Sequence, residues 1–278
     1  MSTTTISAGQ NPALANKIAE TLSEVVVEEA AGSVPTITIP SLPDTNIELP
    51  AGFYDPLEDA LVTTAEVREL TGADEEAIVR ISEPGKALMA ILEKATVSIG
   101  GKPADKDTLS MLLAGDRETL LLAIRRVTFG NEIELDAVCG SCDAPALQHF
   151  VIDLTNDVKV KTLEDRITDR RFTLDLKVGK VKVALPTGDV QNKLVNAPNK
   201  NSAELDTLLL SSCVLEINDV PVLGQAQIRN LGIKDRRTIL EEIANRNPGP
   251  LLSEVKKACG TCGQEVELPL TLADLFRS

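Results

Sequence analysis

Two short cysteine turns decide how this chain folds: Cys139-Gly140-Ser141-Cys142 and Cys259-Gly260-Thr261-Cys262. Each is a C-G-x-C unit, in which small residues let the chain bend so that two thiolates point at one ion. Two such turns supply four sulfurs, which fill the tetrahedral shell of a structural Zn²⁺ and leave no open position for chemistry. The turns lie 116 residues apart (259 − 142 − 1), a separation that can hold a whole domain. The sequence therefore predicts one metal site formed jointly by Cys139, Cys142, Cys259 and Cys262.

The four cysteines have three interpretations. A closed, structural Zn²⁺ site is the first. Iron in a rubredoxin-like site uses the same ligands and stays open as an alternative. Dithiol redox chemistry is the third, because a redox C-x-x-C normally stands alone at a helix N-terminus, whereas two matched copies are present here.

Matching landmarks before each cysteine pair indicate an internal duplication. Thr71-Gly72 corresponds to Thr187-Gly188 at an offset of 116 residues (187 − 71), and the run from Asp116 to Ile124 corresponds to the run from Asp235 to Ile243 at an offset of 119 (235 − 116). The cysteine pairs follow at an offset of 120 (259 − 139). Landmarks in one order at nearly constant offset favour two diverged repeats, which the metal ion would join about a pseudo-twofold axis.

The predicted fold class is α+β: two related repeats of strands and helices, each ending in a β-hairpin zinc knuckle and joined by one metal site. The predicted boundaries are residues 1–46 for an N-terminal arm, 47–155 for the first repeat and 156–278 for the second. Helical periodicity predicts an amphipathic helix from about Pro12 to Ala31 in the arm, before a proline-rich linker. This helix either docks on a neighbouring subunit or packs on its own domain, and the sequence does not separate the two.

Local signals predict several elements inside the repeats. Thr71 and Asp74 resemble a capping arrangement for a helix, and Asp116 is expected to be the N-cap of another. Alternating apolar residues on both sides of Val178-Gly179-Lys180 predict a hairpin, and a helix is expected over residues 251–257.

Composition excludes several classes of function. The 278 residues carry a net charge of −14, which argues against a nucleic-acid partner. No membrane span or signal peptide is recognisable, so the protein is expected to be cytosolic where it is made. The chain has a single His, His149, and no Ser or Cys nucleophile motif points to it, so no catalytic site is predicted.

The pattern from about Ile47 to the C-terminus resembles the T4-like phage baseplate hub assembly proteins and related zinc-knuckle phage tail proteins. The residues that carry the resemblance are the run from Val67 to Glu75, the run from Asp116 to Arg125, and the two C-G-x-C turns. The resemblance implies a non-enzymatic structural or assembly protein that contacts other phage tail or baseplate proteins in a multi-subunit assembly. It also implies a place in the virion tail, after assembly in the bacterial host cytoplasm. Whether the protein is a permanent virion component or a transient assembly factor stays open. The alternative is a cellular zinc-ribbon adaptor in a transcription or translation complex.

Overall fold

Strands and helices follow one another in the same order in both halves of the chain. A computed structural model describes residues 45–55, 58–142, 147–197 and 199–276, and the helix predicted near the N-terminus lies outside them. The first half (residues 45–155) contains β1 (Asn46–Asp55), β2 (Ala60–Val67), α1 (Gly72–Val79), α2 (Pro84–Ala95), β3 (Thr96–Ile99), β4 (Lys102–Pro103), α3 (Lys106–Met111), α4 (Ala114–Phe129), β5 (Glu132–Val138) and β6 (Leu147–Asp153).

The second half (residues 156–276) begins with a short linker and then repeats this order. The linker holds β7 (Val160–Lys161) and a 3₁₀ turn (Thr168–Arg170). The elements that follow are β8 (Arg171–Leu176), β9 (Gly179–Ala184), α5 (Gly188–Val195), α6 (Ser202–Cys213), β10 (Val214–Ile217), β11 (Val220–Pro221), α7 (Gln225–Arg229), α8 (Ile233–Arg246), β12 (Gly249–Pro250), a 3₁₀ turn (Leu252–Glu254), β13 (Lys256–Ala258), β14 (Glu265–Glu267) and a 3₁₀ turn (Asp274–Phe276). The predicted helix over residues 251–257 is wrong: Lys256–Ala258 pair with Glu265–Glu267 as a strand instead. Among the described residues, none of the helices is both long and apolar enough to cross a membrane.

Each half contains one antiparallel four-stranded sheet with the same strand order. The first sheet runs β1-β2-β3-β4 and the second runs β8-β9-β10-β11. The last two strands of each sheet are joined by a two-residue turn with positive φ at both positions, Gly100-Gly101 (φ 60° and 76°) and Asn218-Asp219 (φ 52° and 62°). Gly, Asn and Asp are the residues that tolerate this conformation, which matches the right-handed twist of the flanking strands.

Aliphatic side chains fill the space between each sheet and its helices, as the 2% aromatic content requires. In the first half, Leu92 on α2 and Leu120 and Ile124 on α4 are fully buried. In the second half, Val183 on β9 and Ile239 on α8 are fully buried. The two sheets therefore have separate cores of the same kind.

A buried Asp in the first turn of a helix ties each core helix to its own sheet. Asp116 on α4 accepts hydrogen bonds from the backbone N–H groups of Ala51 (2.8 Å) and Gly52 (3.3 Å) in β1. Asp235 on α8 accepts hydrogen bonds from two backbone N–H groups between β8 and β9, at 3.3 and 3.0 Å. The prediction of Asp116 as an N-cap is wrong, because the N-cap is Leu113 and the Asp116 carboxylate reaches across to the sheet.

The Arg that follows each Asp reaches the second helix of its own half. Arg117 contacts the Met89 sulfur on α2. Arg236 donates a hydrogen bond to the Thr207 hydroxyl on α6 at 2.8 Å. Each Asp-Arg pair therefore connects three elements of one half: the sheet, the second helix and the helix that carries the pair.

One contact between the two halves joins surfaces that are not equivalent. Backbone hydrogen bonds of 2.8 Å join Ala114 N–H to the Pro186 carbonyl and Gly188 N–H to the Leu112 carbonyl. The start of α5 in the second half thus packs on the start of α4 in the first. The equivalent contact, with the start of α1 packed on the start of α8, does not form among the described residues. Ala114 at the start of α4 is 4% exposed, whereas its counterpart Ile233 at the start of α8 is 71% exposed. At α5 the two halves therefore pack head-to-tail, whereas the two cysteine hairpins meet through equivalent residues, Cys139 with Cys262 and Cys142 with Cys259.

The capping arrangement predicted at the start of α1 is confirmed. Thr71 Oγ1 accepts from the Asp74 backbone N–H while the Asp74 carboxylate accepts from Thr71 N–H. Arg68 Nη1 lies 2.7 Å from the buried Asp74 carboxylate. The Arg68 guanidinium, assisted by the donors of Thr71, holds the pKa of Asp74 well below its usual range.

Asp74→Asn should lower the free energy of unfolding at neutral pH by about 1–3 kcal/mol, because it removes a buried charge that is hydrogen-bonded and paired. The pKa of Asp74 is lower in the folded than in the unfolded state, where it is about 3.9. Its stabilising contribution is therefore present above about pH 4 and lost as the pH falls. Urea unfolding from neutral to acid pH checks this, with the exposed neighbour change Glu75→Gln as the control. A difference between wild type and Asp74→Asn that stays constant with pH would contradict the ion pair.

Gly115→Ala should destabilise the protein by about 1–3 kcal/mol or more, although Gly to Ala usually stabilises a helix by about 1 kcal/mol. A Cβ at position 115 would lie 1.5 Å from the Pro248 carbonyl oxygen, where the second half approaches α4. Gly72→Ala is the matched control, because a Cβ there meets nothing within 4 Å. Chemical denaturation of the two variants gives the comparison, and equal stabilities would mean that the two backbones do not approach this closely.

Candidate metal centre

Each cysteine pair lies between two paired antiparallel strands, as the sequence predicted. In the first hairpin, Val138 at the end of β5 pairs with Leu147 at the start of β6. In the second hairpin, Ala258 at the end of β13 pairs with Glu265 at the start of β14. The second turn is closed by a 2.9 Å hydrogen bond from Gly263 N–H to the Cys259 carbonyl, with Gly263 at φ 74°. Both hairpins therefore present two thiols at their tips.

The structure brings all four predicted cysteines together. Their sulfur atoms lie within 4.8 Å of one another. Across the two hairpins, the sulfur atoms of Cys139 and Cys262 lie 3.7 Å apart and those of Cys142 and Cys259 lie 3.6 Å apart. A tetrahedral ion with metal–sulfur bonds of about 2.3 Å places its ligands about 3.8 Å apart. The four residues therefore fit a four-thiolate metal ion, and none of the four is in a disulfide.

The four cysteines differ in burial and in the pKa of their thiols. Cys139 and Cys259 are buried, at 1% and 2% exposed, whereas Cys142 is half-buried and Cys262 is exposed. The backbone N–H groups of Cys262 and Thr261 lower the pKa of Cys259 to about 6. Hydrogen bonding to the Cys262 thiol and then to the Cys259 thiol raises the pKa of Cys142 to about 12. Four thiolates at this distance repel one another, and a divalent cation between them offsets that repulsion.

Gln148 on β6 touches both cysteine turns and was missed by sequence reasoning. Its side-chain oxygen lies 3.1 Å from the Cys259 sulfur, and its Nε2 lies 3.8 Å from the Cys142 sulfur. The same Nε2 lies 3.4 Å from the Thr261 hydroxyl oxygen in the second turn. No spacing rule marks a glutamine for this role. The nearest signal is its strand position, one residue past the end of the first hairpin turn.

The remaining residues singled out by the sequence lie away from this cluster. His149 is on the exposed face of the first hairpin, 3.1 Å from Asp136 and 3.6 Å from Glu134. Cys213 is buried in the core of the second half, where burial raises the pKa of its thiol to about 12. Neither side chain joins the four cysteines.

The cluster rests on a core that both halves build. Phe150 and Ile152 from the first hairpin pack with Val255, Val266 and Leu268 from the second. The C-terminal 3₁₀ turn adds Leu275, which is fully buried there. The hairpins are therefore held together by apolar contacts as well as by their sulfur atoms.

These features define a mixed α+β protein with two similar sheet-and-helix bodies and one four-cysteine cluster that can bind a metal ion. A family model described as T4 bacteriophage base plate protein matches residues 42–243. The match covers more than half of the chain, and the chain belongs to this family. It includes the first cysteine pair and ends before the second. The resemblance found in the sequence is thus confirmed. Neither the curated proteins nor the solved structures yielded a match.

Cys259→Ser should abolish stoichiometric metal binding and lower the free energy of unfolding by several kcal/mol. A metal held by all four sulfurs closes a loop of more than a hundred residues, and a cross-link of that length contributes about 4–5 kcal/mol. Elemental analysis for zinc and iron together with denaturant unfolding measures both effects. Cys213→Ser is the matched control, since that thiol lies in a different core, and it should retain one metal ion per chain. Two intramolecular disulfides and no metal in anaerobically purified wild type would contradict the assignment.

Proposed function

We propose that this chain is a non-enzymatic structural or assembly protein of a phage tail or baseplate. It acts through contacts with other tail and baseplate proteins and is stabilised by a structural zinc ion. Membership of the base plate family over residues 42–243 carries the proposal. The family also implies a virion tail location, and we further propose that the protein is assembled into the tail in the bacterial host cytoplasm.

Zinc is the ion favoured for the four-cysteine cluster. Cys139, Cys142, Cys259 and Cys262 would hold it, and four thiolates fill a tetrahedral shell without leaving room for a substrate or water. The ion would therefore have a structural role and would join one hairpin from each half. Iron has the same ligand preference, and elemental analysis separates the two ions.

The two halves are proposed to be diverged copies, with boundaries at 47–155 and 156–278. The support is the shared order of elements and of strands in the two sheets. Two details add to it: the Asp-Arg pair makes equivalent contacts in both halves, and both sheets end in a turn with two residues at positive φ. Similar helices packed by chance would not be expected to share these side-chain contacts.

The absence of turnover is supported by the character of the described residues. Four sulfurs around one ion would form a closed shell, and His149, at the surface of the first hairpin, is next to acidic side chains rather than a nucleophile. The net charge of −14 opposes binding to nucleic acid. The zinc-ribbon adaptor gains no support from the matched family.

A phage that carries a nonsense mutation in this gene should fail to complete its tails under non-permissive conditions. Electron microscopy of the lysate would show tail or baseplate intermediates, and the wild-type protein supplied from a plasmid should restore infectious particles. Mass spectrometry of purified virions then separates a permanent component from a transient factor. Normal tails and normal infectivity without the protein would refute the proposed function.

Removing residues 1–44 tests whether the N-terminal arm docks on a neighbouring subunit or packs on its own domain. The cut spares Thr45, whose carbonyl accepts a 2.9 Å hydrogen bond from Val67 N–H at the edge of the first sheet. The truncated protein should keep its metal and its cooperative unfolding yet fail to complement the nonsense mutant. Loss of folding on truncation would instead show that the arm packs on its own domain.

A further inference from the structure

The contact between the two halves is a defined docking arrangement of one helix on a three-helix surface. The donor is α5 of the second half. The acceptor is formed by α2, α3 and the start of α4 in the first half. The backbone of the donor is fixed by the two hydrogen bonds between Pro186 and Ala114 and between Gly188 and Leu112.

Side chains on α5 complete the internal contact. Asn192 Nδ2 donates to the Ser110 hydroxyl at 3.2 Å, and its Oδ1 accepts from Arg117 Nη2 at 3.3 Å. At the end of the helix, Val195 fills the space beside Gly85. A Cβ added at position 85 would lie 2.8 Å from the Val195 side chain. One amide thus joins two residues of the acceptor surface, and a valine seals the end.

Because the two halves share their element order, each also carries the complementary surface, and neither surface is covered by the residues that the structure describes. On the second half, the start of α8 exposes Gly232 and Ile233, and among described residues the Ile233 backbone N–H has no acceptor. On the first half, α1 exposes Gly72, the counterpart of the buried Gly188. Val79, the counterpart of Val195, is 75% exposed.

Charges on the open surfaces are complementary in a way that the internal contact is not. The alignment of the halves puts Glu76 on α1 in the place of Asn192, Arg229 on α7 in the place of Ser110, and Arg236 on α8 in the place of Arg117. The open surfaces therefore carry the Glu76 carboxylate where the internal contact has the Asn192 amide, and the Arg229 guanidinium where it has the Ser110 hydroxyl. Glu76 and Arg229 are exposed, and Glu76 forms no ion pair with any residue in the described ranges.

We propose that a second copy of this chain docks its α1 on the second half of the first copy, with Glu76 facing Arg229 and Arg236. Each copy has one donor and one acceptor surface, so the contact is head-to-tail. Such an interface closes into a ring or continues as a helical stack, depending on the rotation between copies. The proposal rests on the correspondence of the two halves and needs no other tail protein, so its failure would leave the proposed function intact.

One difference limits the contact between copies to α1. Gly115 lies against the Pro248 carbonyl in the internal contact, and its counterpart on the second half is Lys234. The side chain of Lys234 prevents the same close approach of two backbones. The contact between copies is therefore smaller and more highly charged than the internal one, and it weakens as salt is raised.

Charge reversal in the full chain tests the proposed contact. Sedimentation velocity over a range of concentrations should show reversible self-association of the wild type. Glu76→Arg and Arg229→Glu should each weaken it at least about tenfold, because each reversal places like charges opposite each other. Glu132→Arg, on the exposed edge of the first hairpin and on neither surface, is the control and should associate as the wild type does.

Mixing the two weakened variants separates a lost contact from a lost fold. An equimolar mixture of Glu76→Arg and Arg229→Glu should associate with an affinity near that of the wild type, since each variant then meets an opposite charge on both of its surfaces. The double variant should also recover association by itself. A wild type that remains monomeric at high concentration overturns the proposal. So does association that neither reversal weakens, because another surface, residues 1–44 included, would then be responsible.

Discussion

The Ala51-Gly52 dipeptide in β1 is the point on which three parts of the structure depend. Its two N–H groups donate to the buried Asp116 carboxylate of α4. Its two carbonyls accept from Arg170, at 3.0 and 2.6 Å, in the turn that leads into the second half. Burial raises the pKa of Asp116 to about 6, against the opposing effect of these backbone donors and of Arg170. This stretch of β1 therefore joins the sheet to α4 through its N–H groups and to the linker through its carbonyl groups.

Comparison with Asp235 in the second half shows which of these contacts both halves share and which the first half alone has. Asp235 accepts hydrogen bonds from two backbone N–H groups in the turn between β8 and β9, so the anchoring of helix to sheet is a property of each half. Arg170 has no such counterpart on that side of the described chain. The first half is thus stabilised by contacts from the second half as well as by its own core. The packing of α5 on the first half is a further contact of this kind.

Local sequence signals predicted the elements well and the relation between them poorly. The cysteine turns, the capping pair at Thr71 and Asp74, and the hairpin around Gly179 depend on residues close in the chain, and all three were found where expected. The role of Asp116 was missed because its partners lie 65 and 64 residues away. The packing of α5 on the first half was missed because its backbone hydrogen bonds and its side-chain contacts, such as Asn192 with Ser110, join residues far apart in the chain. The cluster of four cysteines was predicted, but Gln148 was not, since its role depends on which way a strand faces.

The division of the four sulfurs between the two halves also sets an order on biosynthesis. The first pair, at Cys139 and Cys142, is made 116 residues (259 − 142 − 1) before the second pair, at Cys259 and Cys262. A nascent chain that contains only the first pair can offer an ion two sulfurs, so a shell of four sulfurs can form only after the second pair has been made. Domains made first generally fold first during translation, and here the first body can form its sheet long before its hairpin has a partner. Occupancy of the site would then distinguish chains in which both hairpins have been made and brought together from chains that stop before Cys259.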